Sequence, residues 1–209
     1  MHSGFTARLL VVGLALLPLP ALQAQTGARI GPMVGIVNSS FRGDDAEDAG
    51  SRTSFLAGGF VWFSLSRQFA LEPELLYVRK GAETTIEDVT GTLALDYVEI
   101  PVLAQIRFPS QDVTPYVMLG PAFAFRTGCQ LSIESGEAEL SADCEAEGVD
   151  VGISDTDFSL ILGLGLEVQN FMVSLRYDHG LSQLPSEGDA SVYNRSIALT
   201  FGYAFRLGN

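Results

Sequence analysis

The sequence predicts an all-β chain, an eight-stranded antiparallel up-and-down transmembrane β-barrel preceded by a cleaved signal peptide. Three observations carry this: a leader-like segment opens the chain, large apolar residues then recur at every second position, and short and long connections alternate. At 209 residues the chain has the size of one ordinary domain. Its 22 glycines and 18% charged residues make an unusual composition for a soluble protein that must keep a charged surface.

The leader comes first. Arg8 is the only charged side chain before the cut, Leu9 to Leu19 form an apolar run, and Ala21-Leu22-Gln23-Ala24 supplies a small residue ahead of Gln25. Residues 1–24 therefore read as the signal peptide and 25–209 as the barrel domain. The run is shorter than the ~20 residues of a spanning helix and is broken by Pro18 and Pro20. No Cys lies near the cut to direct lipoprotein processing. After Gln25 no apolar stretch is long enough for a membrane helix, so an exported chain this apolar is either a soluble β-protein or a membrane barrel.

Alternation decides between them. The segments near 28–38, 53–65 and 69–80 are the noisier ones. Next, Val98, Ile100, Val102, Ala104, Ile106 and Phe108 oppose Tyr97, Glu99, Leu103, Gln105 and Arg107. Val117, Leu119, Phe123 and Phe125 oppose Tyr116, Met118, Gly120, Ala122, Ala124 and Arg126. Phe158 to Val168 alternates against Ser159, Ile161, Gly163, Gly165 and Glu167, and Phe171, Val173, Leu175 and Tyr177 against Met172, Ser174, Arg176 and Asp178. The clearest segment is the last, where Ile197, Leu199, Phe201, Tyr203 and Phe205 interleave with Ala198, Thr200, Gly202, Ala204 and Arg206. A soluble sandwich would turn the large row inward and present an outer wall of Ala, Gly and Thr. A barrel in lipid turns it outward and fills a narrow lumen with the small row.

The connections agree. Leu65–Gln68, Pro109–Asp112 and Gln169–Asn170 are short, whereas 39–52, 82–91, 127–153 and 182–191 read as long loops. This is the pattern of short periplasmic turns and longer extracellular loops. Pro73, Pro101, Pro115 and Pro121 fall inside strands, where each removes a ladder hydrogen bond, so bulged or locally open ladders are expected there.

Several stretches resemble the PorT-like outer-membrane β-barrel domain family: Leu71-Glu72-Pro73-Glu74-Leu75-Leu76-Tyr77, Leu95-Asp96-Tyr97-Val98-Glu99-Ile100-Pro101 and Pro115-Tyr116-Val117-Met118-Leu119-Gly120-Pro121. Gly163-Leu164-Gly165-Leu166, Leu175-Arg176-Tyr177 with Gly180-Leu181, and Asn194 leading into Gly202-Tyr203-Ala204-Phe205 follow in the same order. The chain departs from the usual barrel ending by running past Phe205 to Asn209. The resemblance implies a cell outer membrane location, outer-membrane lipid and the barrel-assembly machinery as surroundings, and for some members a secretion-complex role.

Inward positions receive Glu72, Glu74, Lys80, Glu99, Arg107, Arg126, Glu167, Arg176, Asp178 and Arg206. The mixture of signs reads as a cross-linked polar plug, because each buried charge needs a partner. The competing reading is a narrow pore, although no sign bias selects an ion. Cys129 and Cys144, the only cysteines, lie in one exported loop and are expected to form a disulfide. The same region is acidic from Glu134 to Asp157 and accounts for much of the net charge of −13, which argues against nucleic acid as a partner. Asp150, Asp155 and Asp157 are weak candidates for a divalent cation, since they lack the glycine and spacing of an EF-hand loop. Asp178-His179 invites comparison with protease dyads, but adjacent strand residues point to opposite faces. With no nucleophile constellation and no cofactor motif, the expectation is a non-enzymatic barrel that acts through its loops or through periplasmic contacts.

Overall fold

The computed structural model describes residues 27–46, 50–136, 138–144, 152–185 and 191–207. The expected signal peptide at 1–24 lies outside the described residues. The chain forms β1 (Ala28–Arg42), β2 (Arg52–Ser64), β3 (Phe69–Ile86), β4 (Val89–Arg107), β5 (Val113–Ser135), β6 (Ala138–Asp143), β7 (Thr156–Val168), β8 (Phe171–Gly180), β9 (Tyr193–Tyr203) and β10 (Phe205–Arg206).

Neighbouring strands pair antiparallel in the order β1-β2-β3-β4-β5-β7-β8-β9, and β9 returns to β1 from Met33↔Gly202 to Arg42↔Tyr193. The ring therefore has eight staves and no free edge, the condition for burying backbone polar groups in hydrocarbon. Strand β6 pairs β5 outside the ring, and β10 pairs β1 after a break in the last strand at Ala204.

Side-chain alternation sets which face is which. Leu162, Leu164, Phe123 and Phe201 lie on the outer wall, half or more of their surface exposed in the cases of Leu162 (56%) and Leu164 (59%). Leu103, Tyr97, Met118 and Ile161 on the inward row are buried. Tight glycine contacts make room inside: a Cβ on Gly165 would sit 2.4 Å from the Tyr116 ring.

Three of the long connections differ from the sequence reading: of 39–52, Ser39 to Arg42 belong to β1 and pair β9. Residues 82–91 are not a loop: β3 and β4 run on past the lumen and turn at Glu87–Asp88, with Ile86 opposite Val89 and Glu87 at φ 55°. Likewise 127–153 is in part strand, because β5 continues to Ser135 and pairs β6 from Gln130↔Asp143 to Ser135↔Ala138. Only ~9–11 residues are needed to cross the bilayer at a tilt, so the 23-residue β5 projects well beyond it. Strands β3 to β6 thus raise a sheet above the outer mouth. At their tips, where Thr85 to Val89 are exposed, these extensions have no reason to keep an unbroken large-apolar row.

The expected ladder breaks occur beside Pro73, Pro101 and Pro121 but not at Pro115, which keeps its register between Thr114↔Glu167 and Tyr116↔Gly165. Ladder pairs are missing between Phe60↔Glu74 and Phe63↔Leu71, beside Pro73, and between Pro101↔Ala122 and Ala104↔Leu119, beside Pro121.

Candidate functional site

The lumen is filled in three layers. Nearest the short turns, Arg29 donates two hydrogen bonds to Glu167 at 2.6 and 2.9 Å, and Arg107 donates to the same carboxylate at 2.6 Å. Both guanidiniums lie over Trp62, with Arg29 3.9 Å and Arg107 4.8 Å from the ring. The indole N–H donates to Gln105 at 3.2 Å, which fixes the ring between them.

In the middle layer Arg176 donates to Glu74 at 2.7 Å and to Ser174 at 2.9 Å, and lies 3.7 Å from Glu72. Ser174 and Thr200 share a hydrogen bond at 2.6 Å. Above this, Val37, Leu56, Leu76, Val78 and Ile161 form an apolar collar. The outer layer begins with Lys80, whose Nζ lies 2.6 Å from Asp178 and 2.7 Å from Glu99. Nearby, Asp157 accepts from Asn194 at 2.8 Å and from Ser182 at 2.7 Å.

Between the middle and outer layers the cavity is about 20 Å³. A water needs at least ~10–15 Å³ of such volume, so the space holds about one. Among the described residues an apolar collar thus separates two charged layers.

A second core seals the outer mouth. Leu95, Tyr97, Ala124, Cys129, Cys144 and Leu184 are buried together, with Phe41, Leu93, Ile153 and Val192 packed against them. Cys129 and Cys144 are disulfide-bonded, as expected from their compartment, with Cα atoms 5.4 Å apart. The bridge ties β6 and its turn to β5. Arg126 donates to Asp155 at 2.5 Å and to the Ile153 carbonyl at 3.3 Å, fastening the segment before β7 over the mouth.

Most of the expected lumen charges meet in these layers: Glu72, Glu74 and Arg176 in the middle, Glu99, Lys80 and Asp178 outside, Arg107 and Glu167 at the base. Two sit elsewhere. Arg126 belongs to the mouth, and Arg206 is exposed at the rim because the last strand breaks at Ala204 and restarts against β1. Of the acidic-loop candidates, Asp150 lies outside the described residues. Asp155 is exposed while Asp157 is buried and turned inward, so these two are not brought together. Asp178 and His179 take opposite faces, with His179 3.3 Å from the Tyr177 hydroxyl. The sequence reading missed Arg29 and Trp62, and it placed Asp157 among the acidic-loop residues rather than in the lumen. Arg29 and Trp62 fall in the noisier early segments, where a β-period centred on Ile30 and Val61 was the available signal.

The model for the outer membrane protein β-barrel domain matches residues 23–185 of this chain. The chain belongs to that family. As an outer membrane β-barrel domain protein, it is a protein of the Gram-negative outer membrane. Among solved structures it is similar to Ail, the attachment invasion locus protein of Yersinia pestis, at 16% identity, covering 86% of this chain and 99% of that one with a TM-score of 0.44. It is also similar to Neisserial surface protein A, at 16% identity, 87% and 99% coverage and a TM-score of 0.45. The N-terminal β-barrel domain of Pseudomonas aeruginosa OprF matches at 18% identity, 83% and 97% coverage and a TM-score of 0.34. No curated protein sequence matches the chain. The family shown is the general outer-membrane barrel domain, coarser than the PorT-like grouping.

Proposed function

We propose that this protein is a plugged, non-enzymatic outer-membrane barrel whose work is binding, carried by the stapled structure above its outer mouth. The observation behind this is the lumen: layered ion pairs and an apolar collar leave about 20 Å³ between the middle and outer layers. An interior built this way supports a scaffold better than a channel, and the strands that rise from it offer a rigid platform. The separation of Asp178 from His179, with Asp178 engaged by Lys80 at 2.6 Å, supports a non-catalytic reading of that pair. The PorT-like motifs favour contact with a secretion complex as one form such binding takes.

Conductance in planar bilayers tests the plug. The expected result is silence at moderate voltage; steady unitary currents would establish the narrow-pore alternative instead. A photo-crosslinker at Leu140, on β6 and 75% exposed, tests the binding role in intact cells. A discrete adduct is expected there, and its absence at every position of the raised sheet would defeat the reading.

A further inference from the structure

The short-turn end of the barrel differs in charge from the rest of this acidic chain. Its mouth is a cavity of about 360 Å³ lined by Arg29, Arg107, Arg206, Trp62 and Glu167. Three guanidiniums there face one carboxylate. Glu167 is shared by Arg29 and Arg107, while Arg206 is exposed with no ion pair among the described residues. Arg29 is 8% exposed, yet its Nε–H has no acceptor. An orphaned buried donor beside an uncompensated guanidinium points to an anion, and arginine pairs suit the oxygens of a phosphate.

Directly across the wall lies an apolar groove of about 730 Å³, lined by Ile30, Pro32, Gly59, Val61, Leu75 and Phe205 among others. It exists because Gly59 supplies no side chain to the outward row of β2, between its ladder partners Pro32 and Leu75. Strand β10 borders both cavities: Phe205, opposite Ile30, lines the groove, and Arg206, opposite Arg29, lines the mouth. The groove opens where the barrel meets hydrocarbon, and an unfilled notch there forfeits dispersion contacts along its lining.

We infer that this end of the barrel holds one anionic phospholipid of the inner leaflet, its phosphate at Arg206 and Arg29 and one acyl chain in the groove over Gly59. The site binds an amphiphile because one two-residue strand carries its apolar wall and its cationic rim together.

Native mass spectrometry of the intact barrel, presented with dioleoylphosphatidylglycerol and dioleoylphosphatidylcholine, tests this. The wild type is expected to retain one phosphatidylglycerol in preference to phosphatidylcholine. Arg206→Ala should cut that preference about fivefold, the usual worth of one arginine beside anionic head groups. Gly59→Leu fills the groove and should lower retention of both lipids. A Cβ there lies 3.1 Å from the Gly31 carbonyl oxygen, so Val61→Phe serves as a second filling variant if folding suffers. Heat-modifiable gel mobility certifies the fold of each variant. Equal retention of the two lipids by the wild type overturns the proposal, as does retention unchanged in every variant. Inorganic phosphate separates the sources of the anion. Displacement of lipid only at large excess fits a chain-anchored head group, whereas phosphate binding without lipid retention identifies a free-anion pocket and also overturns it.

Discussion

Replacing Lys80 with Met should lower the urea midpoint of unfolding by about 2 M. Lys80 is 1% exposed and stands between Asp178 at 2.6 Å and Glu99 at 2.7 Å, with no other cation among the described residues in its layer. Met fills much of the same volume, so packing changes little, but two buried carboxylates lose their counter-charge. Removing one partner of a buried ion pair costs about 3–5 kcal/mol. With an m-value of about 2 kcal/mol/M, that cost converts to roughly 1.5–2.5 M. Fluorescence of Trp62, the single tryptophan, reads the transition from inside the base layer, and gel mobility without boiling reads barrel closure. The triple variant Lys80→Met/Glu99→Gln/Asp178→Asn removes the stranded charges and should recover most of the loss. A single variant that unfolds at the wild-type midpoint would refute the reasoning, since it would mean that water or another cation already serves the two carboxylates.

Reduction, or Cys129→Ser, should loosen the outer core by about 3 kcal/mol, as expected for opening a loop of about 15 residues. Limited proteolysis should then cut near Cys144 while the membrane-embedded ring stays closed. Gly165→Ala should cost about 1–3 kcal/mol because its methyl collides with the Tyr116 ring, and Tyr116→Ala in the same chain should relieve it. Urea midpoints of the single and double variants give the coupling. Leu162→Lys, on the lipid-facing wall, should cost about 2–4 kcal/mol near the midplane. Leu140→Lys on β6 should be nearly silent in the same refolding assay, since that residue already faces water.

The ring was legible from alternation because lipid and a narrow lumen impose opposite demands on successive residues. Phe158 to Val168 shows this with Ile161 as its one large apolar inward residue, and Ser159 to Val168 pairs residue for residue with Phe171 to Gly180. The same logic hid the raised sheet. Beyond the bilayer the outward row has no need to be large, so Thr84, Thr85, Thr90 and Thr92 read as loop although β-branched residues favour strands. In the lumen, residue types named the members of the plug but not their partners. Nothing local in the sequence tells that Lys80 on β3 meets Asp178 on β8, because that contact depends on closure of the ring. Arg206 moved to the rim for a reason equally invisible in alternation, the break at Ala204, whose N–H donates instead to the Asn170 carbonyl at 2.8 Å.

Strand β5 hands its hydrogen-bonding partner from β7 to β6 partway along its length without interruption of its own backbone. Tower and wall are consequently one beam rather than a barrel wearing a flexible tether. A tug applied at the tip travels down the strand and loads the embedded rungs in shear, many at a time. Anything gripping the cell through this sheet would pull against the whole stave, so the bond to the partner, not the root of the protein, would be the first to give.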